Sequence, residues 1–363
     1  MNKPNNFGGI KNLAKSEVSG QIQTVLGPIH PENLGITLMH EHLLIDTTCY
    51  YKESDYASNR SFKNIAFTPE LTSKSHDLYI HHLDGARMYS ESEAIKEVSA
   101  YKNSGGNSLV DTTSVGIGRD PLALARISRA SKLNVIMGSS YYVTNSHPPN
   151  MDDKTQSQIT DEIVRDITIG VNDTNIRSGI IGEVGNFWPL TQNEIKVLRA
   201  SGNAQKETGA PITIHSGLGD EAPLGILNHL ISGGADPSNC ILGHLDTAIQ
   251  SESHFIELAK TGCYLEFDIF GWENTGMFMD EAINMPNDIG RLDKIKFLIE
   301  NGFEDQIVIA QDVCRKWHLS KNGGQGYDHI LNNIVPRMKN WGISQGQIHK
   351  ILVKNPAKAL VFE

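Results

Sequence analysis

The sequence predicts an α/β protein built as a (β/α)8 TIM barrel, and three observations carry that reading. Eight short apolar segments recur along the chain, helix-length amphipathic stretches separate them, and no Gly-x-Gly-x-x-Gly turn follows the first. Continuous apolar strands alternating with helices require parallel crossovers, and eight such units are what a closed barrel needs. An open doubly wound sheet is the alternative that the same alternation allows.

Taken in order, residues 1–20 are polar, rich in Gly, Asn and Ser, and read as a loose leader before a single domain over 21–363. Gln21 to Val25 alternates as a short strand that Pro28 and Pro31 break. The eight barrel strands are expected at Thr37–Leu44, Ser108–Thr113, Asn134–Tyr142, Ser178–Gly185, Pro211–Gly217, Asn239–Leu245, Cys263–Phe270 and Ile307–Val313. Residues 47–90 fit neither period and form a long polar insertion after strand one, of the kind that is either functional or mobile. A helix follows over 92–101, capped by Ser90 or Ser92 and stopped by Gly105-Gly106. Further helices are expected near 119–131, 155–170, 191–207, 222–233, 251–261, 288–301, 327–341 and 344–353. In the helix at 191–207, Thr191 and Glu194 make a capping box, and Gly209 and Pro211 stop the helix and launch the next strand.

Composition narrows the function classes. The 363 residues carry 32 Lys and Arg against 42 Asp and Glu, a net charge of −10 that argues against a nucleic-acid or anionic-membrane partner. Cys49, Cys240, Cys263 and Cys314 show no Cys-x-x-Cys spacing and read as reduced. The opening residues lack a secretory apolar core and no run long enough for a membrane span exists, so the expected location is the cytoplasm.

In a barrel of this kind the C-terminal strand ends converge on one mouth. Strand one brings His40 and His42, two apart in an apolar run and therefore on one face; strand four brings Glu183, strand five His215, strand six His244 and strand eight Asp312. Each alone has a structural explanation, as a hydrogen-bonded core histidine, a paired carboxylate or a helix cap. Together they would be costly to bury without a cation, so a pair of divalent metal ions is the economical account. Histidines with carboxylates suit zinc, with manganese, iron or cobalt as alternatives.

The residues also carry a resemblance. Gln23-Thr-Val-Leu-Gly27, His40-Glu-His-Leu43, Gly179-Ile-Ile-Gly-Glu-Val-Gly185, Trp188-Pro-Leu-Thr191, Gly243-His-Leu-Asp246, Gly262-Cys-Tyr-Leu-Glu-Phe-Asp268 and Gly323-Gly-x-Gly-Tyr-x-His-Ile330 resemble the phosphotriesterase-like branch of the amidohydrolase superfamily from Gln21 onward. The resemblance implies that His40, His42 and Asp312 hold the more buried metal, that His215 and His244 hold the more exposed one, and that Glu183 bridges them. Many relatives bridge with a carboxylated lysine one position earlier, where this chain has Gly182, so Glu183 needs a local bulge in its strand to face inward. It further implies that the two cations activate a shared water against a carbonyl, with Asp312 as the proton acceptor. The implied reaction is hydrolysis of a small N-acyl amino compound, N-acetyltaurine foremost. A lactonase or phosphotriesterase activity, or a binding barrel without catalysis, are the alternatives. Tyr142, His147, Arg315 and Lys316 are expected substrate contacts, the two cations for a sulfonate or carboxylate. Tyr141, Glu266, Asp268 and Trp272 are expected to line the pocket or orient histidines, and a homodimer is the family-level expectation for assembly.

Overall fold

The computed structural model describes residues 18–273 and 285–363. All eight expected strands are present: β1 (Thr37–Glu41), β2 (Ser108–Asp111), β3 (Asn134–Met137), β4 (Ile181–Gly185), β5 (Ile212–His215), β6 (Cys240–Gly243), β7 (Tyr264–Phe267) and β8 (Ile307–Ile309). β1–β2–β3 pair in parallel, as do β4–β5–β6–β7–β8. Backbone bonds close the ring at both seams. Gly182 donates to the Ser139 carbonyl and Gly179 to that of Met137, while Asp312 donates to the His40 carbonyl.

Eight helical segments follow the strands in turn: α1 (Glu91–Asn103), α2 (Pro121–Ser131), α3 (Gln156–Thr168), α4 (Gln192–Thr208), α5 (Ala222–Ser232), α6 (Glu252–Ala259), α7 (Asp288–Glu300) and α8 (Val335–Asn340). Ser90 caps α1 by accepting from Glu93, and Thr191 with Glu194 forms the expected capping box of α4. The final helical run passes through a wider turn and ends at Ala359, beyond the expected 353.

Strand alternation sorts the core into two layers. Leu38, Leu109, Val135, Ile212, Leu242, Leu265 and Ile309 face the helices, whereas Met39, Val110, Ile136, Ile241 and Val308 fill the barrel floor. Ile22, from a hairpin over Ile22–Thr24 and Gly27–Ile29, plugs that floor. Of the leader expected over 1–20, residues 1–17 lie outside the described residues; Ser19 pairs with Phe362 and Gly20 bonds its carbonyl.

The insertion over 47–90 is pinned by side chains more than by regular structure. Lys316 pairs with Asp84 at 2.7 Å, Thr72 donates to the Asn322 carbonyl, and Phe67 and Tyr79 pack on Trp317.

Candidate metal centre

Above the apolar floor the barrel interior turns polar, and two local irregularities aim the side chains. In β1 the pairing register shifts between Leu38 and Glu41. With Leu38 facing the helices and Met39 facing inward, strict alternation would send His40 outward; the irregularity keeps it in the mouth. In β4 the register shifts between Ile181 and Val184, both of which face the helices, so Gly182 and Glu183 occupy the space of one inward residue. Gly182 has φ +115°, and a Cβ there would lie 2.1 Å from the Thr213 carbonyl oxygen. Only glycine fits that approach.

The six expected ligand residues converge. His42 Nε2 lies 3.3 Å from Glu183 Oε1 and 3.3 Å from Asp312 Oδ1. Glu183 Oε2 lies 3.2 Å from His215 Nδ1, 3.5 Å from His40 Nε2 and 3.6 Å from His244 Nε2. Ligand-capable atoms of His40, His42 and Asp312 gather within 4.8 Å of one another, and so do those of Glu183, His215 and His244. Glu183 touches all four histidines and stands between the two groups.

Supporting partners set which nitrogens face the centre. Asp268 Oδ1 bonds His244 Nδ1 at 2.8 Å and Oδ2 accepts the His244 backbone N–H, leaving Nε2 toward Glu183. Thr113 Oγ1 lies 2.9 Å from His42 Nδ1. Glu41, enclosed between the two histidines in sequence, turns outward and accepts the N–H groups of Gln311 and Val313, on either side of Asp312. Its role had a sequence signal, a glutamate fixed between two histidines in an apolar run, but no spacing rule says which backbone it reaches.

These residues fit a cation pair. Among the described residues, both ring nitrogens of His40 and Oδ1 of Asp312 are buried without a hydrogen-bond partner. The titration pattern points the same way. Burial opposes protonation of His40, His42 and His244, yet neighbouring carboxylates raise all three, His42 to about 9. Burial also works against ionised Glu183 and Asp312, yet the histidines hold both well below the usual carboxylate range. Burial and the adjacent His244 push His215 the other way, toward the neutral form. In short, the carboxylates demand positive charge and draw it from imidazoles, the role divalent cations would take.

A cavity of about 540 Å3 opens over the centre. Tyr50 and Tyr79 of the insertion join Tyr142, Phe187, Trp188, Trp272 and Arg315 in its wall. Tyr142 hydroxyl accepts from Tyr50 and lies 3.2 Å from His215 Nδ1. Two expected substrate contacts are not in that wall. Lys316 turns to Asp84, and His147 Nε2 bonds the Tyr142 carbonyl at 2.8 Å. For Lys316 the reason is a short 3-10 turn over Lys316–His318, which rotates it away from the side on which Arg315 sits.

Residues 20–360 match the model of the Phosphotriesterase family. The chain belongs to that family. It is 40% identical over 349 residues to an N-acetyltaurine hydrolase of Xenopus tropicalis, covering 96% of this chain and 100% of the relative. A phosphotriesterase-related protein of Nematostella vectensis is 41% identical over 354 residues, covering 95% and 99%. Among solved structures, a resiniferatoxin-binding protein from Rhodobacter sphaeroides superposes with a TM-score of 0.90 at 31% identity, covering 96% of this chain and 99% of that one. As a member of the family the chain is a metal-dependent hydrolase.

Proposed function

We propose that the protein hydrolyses the amide bond of a small N-acyl amino compound, with N-acetyltaurine, cleaved to acetate and taurine, as the leading substrate. The observation that carries the reading is the convergence of four histidines, Glu183 and Asp312 in one mouth, in a chain about 40% identical to curated N-acetyltaurine hydrolases. His40, His42 and Asp312 would hold one cation, and His215 and His244 the other, with Glu183 shared; zinc suits this donor set best, then manganese, iron or cobalt. When bound, such a pair supplies Lewis acidity toward a carbonyl oxygen and lowers the pKa of a water.

The remaining work falls to the chain. Asp312, held ionised and with Oδ1 free of hydrogen bonds among the described residues, accepts the proton of the attacking water and returns it to the departing amine nitrogen. Asp268 fixes the His244 ring and Thr113 that of His42, so the centre keeps its shape through the cycle. The Tyr142 hydroxyl, at the His215 edge of the cavity, orients the substrate amide. Phe187, Trp188 and Trp272 exclude water around it.

The cysteines form no disulfide among the described residues, in keeping with a cytoplasmic protein, and a homodimer remains the expected assembly. The deciding experiment removes metal by exhaustive chelation and restores zinc or manganese, with acetate release from N-acetyltaurine as readout. Loss and recovery of cleavage, with about two metal ions per chain by elemental analysis, is the expected result. Cleavage that survives chelation in metal-free protein would refute the reading.

A further inference from the structure

Among the described residues, arginines that lose their water are paired, with one exception. Arg291, fully buried, lies 3.1 Å from Asp246 and 3.0 Å from Asp288, and Arg119 lies 2.8 Å from Asp166. Arg315 is only 1% exposed, and among the described residues its Nε has no hydrogen-bond partner and no carboxylate lies within ion-pair distance of it. A desolvated guanidinium without a counter-charge is costly unless something supplies one. The surroundings offer only partial relief. Its guanidinium carbon sits 4.3 Å from the Tyr79 ring centre and 5.7 Å from that of Trp317, a cation–π cradle built by the insertion and the loop after β8.

Arg315 also belongs to the wall of the cavity that holds Glu183, His215, His244 and Asp312. The other basic side chains of its loop are committed elsewhere. Lys316 pairs with Asp84, and the His318 ring lies 4.4 Å from that of Trp272, where burial keeps it neutral. We propose that Arg315 is the receptor for an anionic group on the amine portion of the substrate, so that the enzyme selects acidic N-acyl amino compounds over neutral amides. The proposal rests on the amide-hydrolase reading above. A sulfonate and a carboxylate both present two oxygens to the guanidinium fork, so the shared chemistry is a single oxyanion group two or three bonds from the amide nitrogen.

The test compares metal-loaded wild type, Arg315→Gln and Arg315→Lys on three amides of similar length: N-acetyltaurine, N-acetyl-β-alanine and the uncharged N-propylacetamide. The readout is the ratio of kcat/KM on each acid to kcat/KM on the neutral amide. Losing a charge-assisted contact predicts that Arg315→Gln lowers this ratio roughly 10- to 100-fold, mainly through KM, with Arg315→Lys in between. A drop for the sulfonate alone, or for both acids, supports the receptor and tells which oxyanion it prefers. An unchanged ratio overturns it, as does an equal loss on all three substrates accompanied by a lowered Tm in both variants, the mark of a structural arginine. If the wild type cleaves none of the amides, the hydrolase reading fails separately, and thermal shift with methanesulfonate decides the receptor. Stabilisation of the wild type but not of Arg315→Gln supports it; equal shifts overturn it.

Discussion

Asp312 acts through two different atoms. Its N–H closes the barrel on the His40 carbonyl, while its carboxylate faces His42 across 3.3 Å. Both need a backbone at φ +46°, in the left-handed region that aspartate and asparagine tolerate better than most residues. Asp312→Asn therefore preserves shape and conformation but removes the proposed proton acceptor and one negative charge. The expected outcome is an unchanged far-UV circular dichroism spectrum and a kcat on N-acetyltaurine lowered by roughly 10²–10⁴, the usual share of general acid–base work. Assays at saturating zinc, with metal content measured alongside, separate that loss from weakened metal binding. A variant within tenfold of wild type at full occupancy would remove Asp312 from the proton transfer. Glu183 shows the same economy in another form, since only the paired irregularity with Gly182 turns a helix-facing position into one that touches four histidines.

At the scale of elements, the loop after β8 and the insertion form one latch. Lys316 donates its backbone N–H to the Gly85 carbonyl and its ammonium to Asp84, and Gly85 is small enough for the Trp317 ring to lie against it. This latch carries Tyr79 over Arg315. Lys316→Ala should leave KM for N-acetyltaurine within about twofold of wild type and cost no more than about 1 kcal/mol of stability, because the pair is partly solvent-exposed. A tenfold rise in KM would return Lys316 to the substrate site. The contrast between Lys316 and the strand ends shows what a sequence can and cannot disclose. His215 and Asp312 end apolar runs whose period points them inward, so His215 could be placed from residue type and spacing, as could the barrel itself. Glu183 was legible only through the bulge it required. The insertion has no period to read. Its shape comes from single contacts such as Thr72 to Asn322, 250 residues apart in sequence, and a 3-10 turn decides which of Arg315 and Lys316 meets the cavity. Tyr50 and Tyr79 in the cavity wall were hidden for the same reason.

For the whole molecule, the buried centre couples metal, protons and stability. Without metal, His40, His42 and His244 have folded-state pKa values raised above the ordinary histidine value, because Glu183, Asp268 and Asp312 outweigh the burial that opposes their charge. A raised histidine contributes stability that is fully present below its unfolded pKa, near 6.5, and lost as pH rises through its folded value, about 9 for His42. Burial raises Glu41 to about 8, so it too binds more protons in the folded than in the unfolded state and pushes stability the same way over this range. The depressed carboxylates of Glu183 and Asp312 act in the opposite sense, but only below the ordinary carboxylate range, outside this window. The chelated protein should therefore lose Tm steadily between pH 6.5 and about 9. Cations that displace the imidazole protons remove the histidine part of that dependence, so the zinc-loaded protein should be more stable throughout and fall less steeply over the same window, with the Glu41 contribution remaining. Differential scanning calorimetry of chelated and zinc-loaded samples across that range reads both slopes. Parallel profiles would mean that the histidines do not exchange protons for metal, and the centre would have to be built from other residues.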